Sequence, residues 1–266
     1  MKTIEFQELI WEKGRELFRP MPWRDDTQPY YVLVSEIMLQ QTQVDRVIPK
    51  FQAFIRAFPT INDLAATDLS EVLKLWSGLG YNRRAKFLYE AAKMVQRDFG
   101  GSIPKNCDEL MRLPGVGVNT AGAIMTYSYN VPVVFIETNI RTVYFHHFFQ
   151  DDEMVSDAAL RELVEETIDQ EHPREWYWAI MDYGSFLKRQ GVSLLDKSKH
   201  YKKQSPLKGS VREIRGQILK QLSTNDATLE ELKTLVIFDE RFDVALESLT
   251  ADGLVATSRG QLHLAR

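Results

Sequence analysis

The chain has 266 residues, 44% of them hydrophobic, enough to bury more than one compact core. No apolar run approaches the length of a bilayer span, and residues 1–17 are amphipathic, with Lys and Glu where a secretory leader is apolar; the expectation is a cytoplasmic protein without membrane association. One cysteine, Cys107, and five scattered histidines exclude an internal disulfide and give no zinc or iron-sulfur spacing, so no metal cofactor is expected.

In chain order, residues 1–186 read as helices joined by short connections. Phe51, Phe54, Ile55 and Phe58 recur at helical spacing, as do Leu64, Val72, Leu73, Leu75 and Trp76 across neighbouring segments. Turn chemistry separates them at Phe58-Pro59-Thr60, Gly78-Leu79-Gly80, Gly100-Gly101, Leu113-Pro114-Gly115 and Asn130-Val131-Pro132. No strand-period alternation intervenes, so this body is expected to be all-α.

A polar, lysine-rich stretch from Gly191 to Gly209 reads as a linker. The formal net charge is −4, yet between Leu187 and Lys220 ten Lys or Arg stand against only Asp196 and Glu213. Such a segment is either a footprint for phosphate or a solvated connection, and its composition alone fits both. Beyond it, Ser210 with Glu213 has capping-box spacing for a helix through Leu222, and Thr228 with Glu231 repeats the signal. A third helix over 241–250 and two short strands, Leu254 to Thr257 and Gln261 to Leu264, complete three helices and a hairpin. That order resembles a winged helix, a fold used for DNA and for protein contacts alike.

The stretch from Leu113 to Ala123 joins two helical segments through a glycine-punctuated turn. Gly115, Gly117 and the backbone N–H of Val118 at the start of the following helix have the physics of an anion site, since no side chain blocks approach and the first helical amides are unpaired. A close-packed helical corner is the plainer reading of the same glycines. The segment is similar to the second helix of the hairpin in the endonuclease III superfamily of helix-hairpin-helix DNA glycosylases, whose turn also holds a monovalent cation on carbonyl oxygens.

Over roughly residues 20–186 the chain resembles A/G-mismatch adenine DNA glycosylases. The motifs that carry the resemblance keep their order: Met21-Pro22-Trp23-Arg24, Val34 through Gln43, Leu75-Trp76-Ser77-Gly78-Leu79-Gly80-Tyr81, the hairpin, and Met181-Asp182-Tyr183-Gly184. The ten residues from Val34, with an acid, two adjacent amides and a threonine, are the most specific. By resemblance, Trp23, Arg24 and Asn119 line the base pocket. Gln41 and Tyr81 match wedge positions that enter the base stack and touch the opposite base. Alone, Tyr81 after a Gly-Leu-Gly turn would read as a packed surface aromatic.

Breaking a base–sugar bond calls for a proton on the leaving base and stabilisation of an oxocarbenium-like sugar. Glu36 matches the family's general acid, in an apolar context of Val34, Ile37, Met38 and Leu39 that favours its protonated form. Outside the motif it would read as a helix-surface glutamate. The second carboxylate departs from the family: Glu137 stands where relatives carry aspartate, one methylene or about 1.5 Å longer, and misplacement on that scale costs about a hundredfold in rate. Asn139 matches a residue that positions the same sugar and water.

Bifunctional relatives place a lysine at the position of Asn119; an amide forms no Schiff base, so a monofunctional enzyme without lyase activity is implied. The family's four-cysteine cluster loop is absent, and Lys197, Lys199, Lys202 and Lys203 stand in its place as candidate phosphate contacts.

The reading is therefore an all-α helix-hairpin-helix glycosylase fold of two helical subdomains with a small C-terminal α+β winged-helix domain. Its limits are 1–190 for the glycosylase domain (a six-helix region at about 25–130 and a second subdomain from 1–24 plus 131–190), 191–209 for the basic linker, and 210–266 for the winged helix. The function implied is release of adenine opposite 8-oxoguanine or guanine. The alternatives are a glycosylase for uracil or thymine opposite guanine, and a DNA-binding relative with weakened catalysis. The implied partner is double-stranded DNA with a mismatched or damaged base, bound by a monomer that needs no cofactor beyond a monovalent cation at the hairpin.

Overall fold

The computed structural model describes residues 2–152, 154–192, 194–197 and 206–266. The helices run, in chain order, α1 (Thr3–Leu17), α2 (Pro22–Asp25), α3 (Pro29–Leu39), α4 (Val44–Ala57) and α5 (Ile61–Ala66). They continue as α6 (Leu69–Trp76), α7 (Arg83–Asp98), α8 (Cys107–Leu110), α9 (Val118–Tyr129) and α10 (Thr138–Phe148). After these come α11 (Asp157–Thr167), α12 (Pro173–Arg189), α13 (Val211–Leu222), α14 (Leu229–Leu235) and α15 (Phe242–Ala251), then strands β1 (Val255–Ser258) and β2 (Gln261–Leu264). The mostly helical body and the two-stranded C-terminal sheet are those the sequence predicts.

The chain forms two compact units: residues 1–33, 105–111 and 116–203 make the first, and residues 34–104, 112–115 and 204–266 the second. Residues 25–33, 105–111 and 116–130, read from sequence with the 25–130 region, belong here to the first unit, and the described C-terminal residues 206–266 join the second.

In the first unit α12 packs on α1, α9 and α10. The core is aromatic: Phe6 meets Tyr144 at a tilt with ring centroids 5.1 Å apart, and Trp176 at 6.1 Å in the edge-on geometry that ring quadrupoles favour. A side chain at Gly184 would run into the Asn139 carbonyl and lie 2.8 Å from Asn139 Cβ, so glycine is what lets α12 approach the first turn of α10.

In the second unit α7 packs on α5 and α6. Phe54, Leu64, Val72 and Trp76 are fully buried, as their spacing predicts. A reciprocal Thr60–Asp63 box starts α5, where the Asp63 carboxylate accepts from Thr60 N–H at 2.9 Å.

The C-terminal residues of this unit keep the helix, helix, helix, hairpin order, with Ala227 bridged to Leu262 beside the β1–β2 pair. The Thr228–Glu231 box forms as expected. The Ser210–Glu213 box does not: Ser210 Oγ donates to Leu207 O, and the Glu213 carboxylate reaches one residue further back to Gly209 N–H. Gly209, at φ 79°, turns the chain so that its own amide, not that of Ser210, points along the helix.

Candidate functional site

Trp23, Arg24, Asn119, Glu137 and Asn139 lie in the first unit; Glu36, Gln41 and Tyr81 lie in the second.

Glu137 is the N-cap residue of α10, but its carboxylate makes no capping bond. Burial pushes it from an ordinary 4.5 up to about 7, against the pull of the helix N-terminus, which favours the carboxylate. The extended segment that delivers it, residues 131–136, has no strand beside it among the described residues; Val131 N–H bonds Met125 O, and side chains meet several of the remaining backbone groups. Thr126 Oγ1 donates to Val131 O at 2.9 Å, Tyr177 Oη to Val133 O at 3.1 Å and Arg161 Nη1 to Val134 O at 2.9 Å. Asn119 closes the series at both ends of one residue: its Nδ2 donates to Ile136 O at 2.9 Å, and Ile136 N–H donates to its Oδ1 at 3.2 Å. Phe135 is fully buried and stacks on Tyr177 at 4.2 Å. Asn119, expected as a pocket residue, is thus also a two-point clamp on the residue preceding Glu137.

Asn139 lies in the first turn of α10, where its Oδ1 is buried and has no hydrogen-bond partner among the described residues. Orphaned buried oxygens of this kind call for an explanation, and a bound water is the ordinary one.

Two motifs far apart in sequence meet in one cluster. Asp182 is 1% exposed, and its carboxylate accepts from Arg24 Nη1 at 2.6 Å, Arg24 Nη2 at 3.0 Å and Arg19 Nε at 2.6 Å. Arg24 also donates to Arg19 O and lies over the Trp178 ring at 5.3 Å. Its guanidinium therefore anchors the N-terminal segment to α12, beside the buried Trp23. This pairing explains why Met21–Arg24 and Met181–Gly184 occur together: a buried bidentate pair is lost if either partner changes.

On α3, Val34, Ser35, Ile37 and Met38 are fully buried and Glu36 is half-buried on the same turn. Just beyond the helix, Gln41 sits at φ 57°, and Tyr81, after Gly80, at φ 48°. Left-handed backbone at glutamine and tyrosine is strained, and such strain gathers where a side chain must be aimed. A single residue that the sequence reading passed over holds both turns. Arg84 of α7, buried at 7% exposure, donates from Nη1 to Ile37 O at 2.8 Å, Met38 O at 2.9 Å and Gln40 O at 2.5 Å. Its Nη2 reaches Thr42 Oγ1 and Gly80 O, both at 3.0 Å, and its Nε reaches Tyr81 O at 3.3 Å.

Burial lowers the Arg84 guanidinium to about 10, so it is charged at neutral pH, and its charge faces the carbonyl end of α3. The signal was present in the sequence: Arg84 occupies the buried stripe of α7 with Leu88, Ala91 and Val95.

The hairpin turn follows α8. At Gly115, φ is 81° and a Cβ would lie 2.9 Å from Phe87 Cβ, whereas a Cβ at Gly117 would meet nothing within 4 Å. Gly117 caps α9 without a side chain and Val118 is 55% exposed, so backbone there is open to a phosphate. Gly115 O already accepts from Gln40 Nε2 at 3.3 Å, so a monovalent cation on this turn would share that oxygen or use its neighbours.

Of the expected lysine contacts, Lys197 donates to Phe149 O and Gln150 O at the C-terminal end of α10, an intramolecular cap rather than a free cation. Lys199, Lys202 and Lys203 lie outside the described residues. Among the described residues no group of three or more His, Cys, Asp or Glu could hold a metal ion, and no helix is long and apolar enough to cross a membrane.

The profile of the HhH-GPD superfamily of base excision DNA repair proteins matches residues 34–169, half of the chain. The chain is 32% identical to the adenine DNA glycosylase of Mycolicibacterium smegmatis over 93% of its own length and 92% of the relative. It is 35% identical to that of Buchnera aphidicola subsp. Baizongia pistaciae over 70% of the chain, a match that spans only 54% of the relative. Among solved structures it resembles a thermostable thymine-DNA glycosylase, with a TM-score of 0.63 and 27% identity over 69% of this chain and 86% of that one.

Proposed function

The chain belongs to the HhH-GPD superfamily of base excision DNA repair proteins, and from that premise we propose that it is a monofunctional DNA glycosylase releasing adenine opposite 8-oxoguanine or guanine. The observation that carries the chemistry is Glu137, a carboxyl raised to about 7 by burial and delivered by a segment whose last residue is clamped at both backbone groups. As a carboxylate partly shielded from water it stabilises positive charge developing on the sugar. Glu36 supplies the proton to the departing base, and Asn139 Oδ1 holds the attacking water. Gln41 and Tyr81 fill the space left by the flipped nucleotide. Asn119 has no amine, so hydrolysis leaves an abasic site with the strand intact. No cofactor is needed for these steps.

Adenine is favoured over other bases because the Mycolicibacterium relative, similar from end to end, bears the name adenine DNA glycosylase. A second reading, thymine or uracil opposite guanine, is favoured by the likeness to the thermostable thymine-DNA glycosylase.

The test is base release from duplexes carrying adenine opposite 8-oxoguanine, guanine or cytosine, and thymine or uracil opposite guanine. Adenine should be released opposite 8-oxoguanine and guanine. Strand breaks should appear only after alkali or heat, and borohydride should trap no adduct. Glu36→Gln should abolish release and leave duplex affinity nearly unchanged. Release of thymine or uracil alone would favour the second reading; binding without any release would leave a DNA-binding relative.

A further inference from the structure

The C-terminal helices are unused by the mechanism above, yet one of their side chains lies on a wedge residue. Arg212, in the first turn of α13, donates from Nη1 to the Tyr81 hydroxyl and places its guanidinium carbon 5.0 Å from the centre of the Tyr81 ring. Arg84 lies against the same ring at 5.5 Å. Nη2 of Arg212 also reaches Pro206 O at 3.4 Å, which ties the guanidinium to the turn entering α13. The contact is made at the phenol oxygen, the end of the side chain farthest from the strained backbone of Tyr81.

Separate contacts attach the end of α15 to α7, and α13 to that end. Lys86 Nζ donates to Asp252 O at 2.8 Å, Arg83 Nε lies 3.4 Å from the Asp252 carboxylate, and Arg215 Nη2 donates to that carboxylate at 2.7 Å. Arg212 is therefore not needed to dock these helices, and its place at the phenol requires another account.

We propose that Arg212 is a specificity-determining residue that completes the wedge and reads the base opposite the excised one. The inference rests on the assignment of Tyr81 as a wedge. A ring inserted at the vacated position brings its hydroxyl against the opposite base, and a guanidinium bound to that hydroxyl arrives with it. Arginine forms its commonest specific base contact by forking onto the O6 and N7 edge of guanine, an edge that cytosine does not offer and that 8-oxoguanine, whose N7 carries a hydrogen, offers through O6 alone. Stacking on the tyrosine ring keeps the fork planar and aimed, so less freedom is lost when the base is met. The small C-terminal domain thereby acts as the sensor of a guanine-type partner.

The experiment measures affinity, with the full chain, for duplexes carrying a tetrahydrofuran abasic-site analogue opposite guanine, 8-oxoguanine or cytosine. This readout does not depend on which base is excised. Wild type should prefer guanine over cytosine, and Arg212→Ala should lower that preference by about tenfold to a hundredfold, the worth of one bidentate arginine–guanine contact, with a smaller loss opposite 8-oxoguanine, where O6 alone accepts. Arg212→Lys should restore only a small part, since an ammonium cannot fork.

Tyr81→Phe should lose part of the preference, and the double variant should lose less than the two single losses multiplied, because both act through one contact. Thermal midpoints measured alongside should stay near wild type for Arg212→Ala. An unchanged preference overturns the proposal, as does tighter binding to all three duplexes, which would mark the contact as a latch on the wedge. Failure of the functional proposal shows separately, as absence of adenine release by wild type on adenine mispairs.

Discussion

Two regions of this chain present a functional side chain from irregular backbone, and they do so by opposite means. The segment 131–136 that delivers Glu137 is held by Thr126, Tyr177, Arg161 and Asn119, each meeting a different backbone group. The two turns that present Gln41 and Tyr81 share one principal anchor, Arg84, with Trp76 Nε1 on Gly80 O and Thr42 Oγ1 on Leu79 O beside it. Distributed support loses one anchor at a time; a shared anchor releases everything at once.

The largest effect is expected at Arg84. Arg84→Ala leaves several buried carbonyls unsatisfied at a cost of about 1–3 kcal/mol for each group left unpaired, so a loss of about 4 kcal/mol or more is expected, lowering the thermal midpoint by roughly 10 °C. Arg84→Lys should recover less than half, because one ammonium cannot span both turns. Calorimetry decides this, and duplex affinity should fall with the midpoint. A variant as stable as wild type would show that the turns hold themselves.

Next comes Glu137, the load that the distributed anchors carry. Glu137→Gln should reduce single-turnover base release by about a hundredfold to a thousandfold, the range for removing a stabiliser of transition-state charge. Glu137→Asp should also be slow, because the clamped segment cannot advance to make up the lost methylene. In wild type the rate should rise with pH through about 7 as the carboxylate forms.

Stability should move the other way. The unfolded chain ionises Glu137 near 4.5 and the folded chain near 7, so folding is favoured most below 4.5 and that contribution is lost as pH rises through 7. Glu137→Gln should flatten that slope, and a midpoint-versus-pH series on both proteins reads it directly.

Asn119 tests the last anchor. Asn119→Ala should slow release by about tenfold to a hundredfold through misplacement of the carboxylate, with a stability loss of about 1–3 kcal/mol for the orphaned Ile136 groups. Asn119→Asp should be worse than alanine, since it sets a carboxylate oxygen against Ile136 O. Rates equal to wild type would reduce the clamp to a packing detail.

The smallest effects belong to the far end of the segment. Thr126→Val and Tyr177→Phe should each cost about 1 kcal/mol and change the rate no more than a few-fold. If either matches Asn119→Ala, support is cooperative rather than distributed.

Much of this fold was legible from residue patterns. Phe51 and Phe54 on one face of α4, and Thr228 with Glu231 at the start of α14, are local signals, and local structure obeys them. The pairing of Arg24 with Asp182 was not legible, because the two motifs were recognisable only separately and nothing local aims one at the other. Arg84 was hidden by its residue type: an arginine beside another arginine reads as solvated surface, and only its place in the buried stripe of α7 betrays it. Asn119 differs from lysine by the missing amine, and nothing in its sequence neighbourhood points to the peptide group of Ile136 that its amide matches donor for acceptor. The strain at Gln41 and Tyr81 leaves no trace in composition, since neither is a residue that prefers left-handed backbone.

The Asp182 cluster also has a consequence for biosynthesis. Arg24 emerges from the ribosome 158 residues before the carboxylate that neutralises it, and Arg19 163 residues before. Until α12 has been made, the N-terminal segment has two cations and no buried partner, while residues 34–104, a contiguous stretch of the second unit, are complete much earlier. The order of manufacture thus expects the second unit's helices to be protected first and the first unit to close over its own N-terminus last. Limited proteolysis of stalled nascent chains ending before and after residue 190 would reveal this as a cut within residues 1–33 that disappears only in the longer chain. Protection in both would mean that the N-terminus finds its place without Asp182.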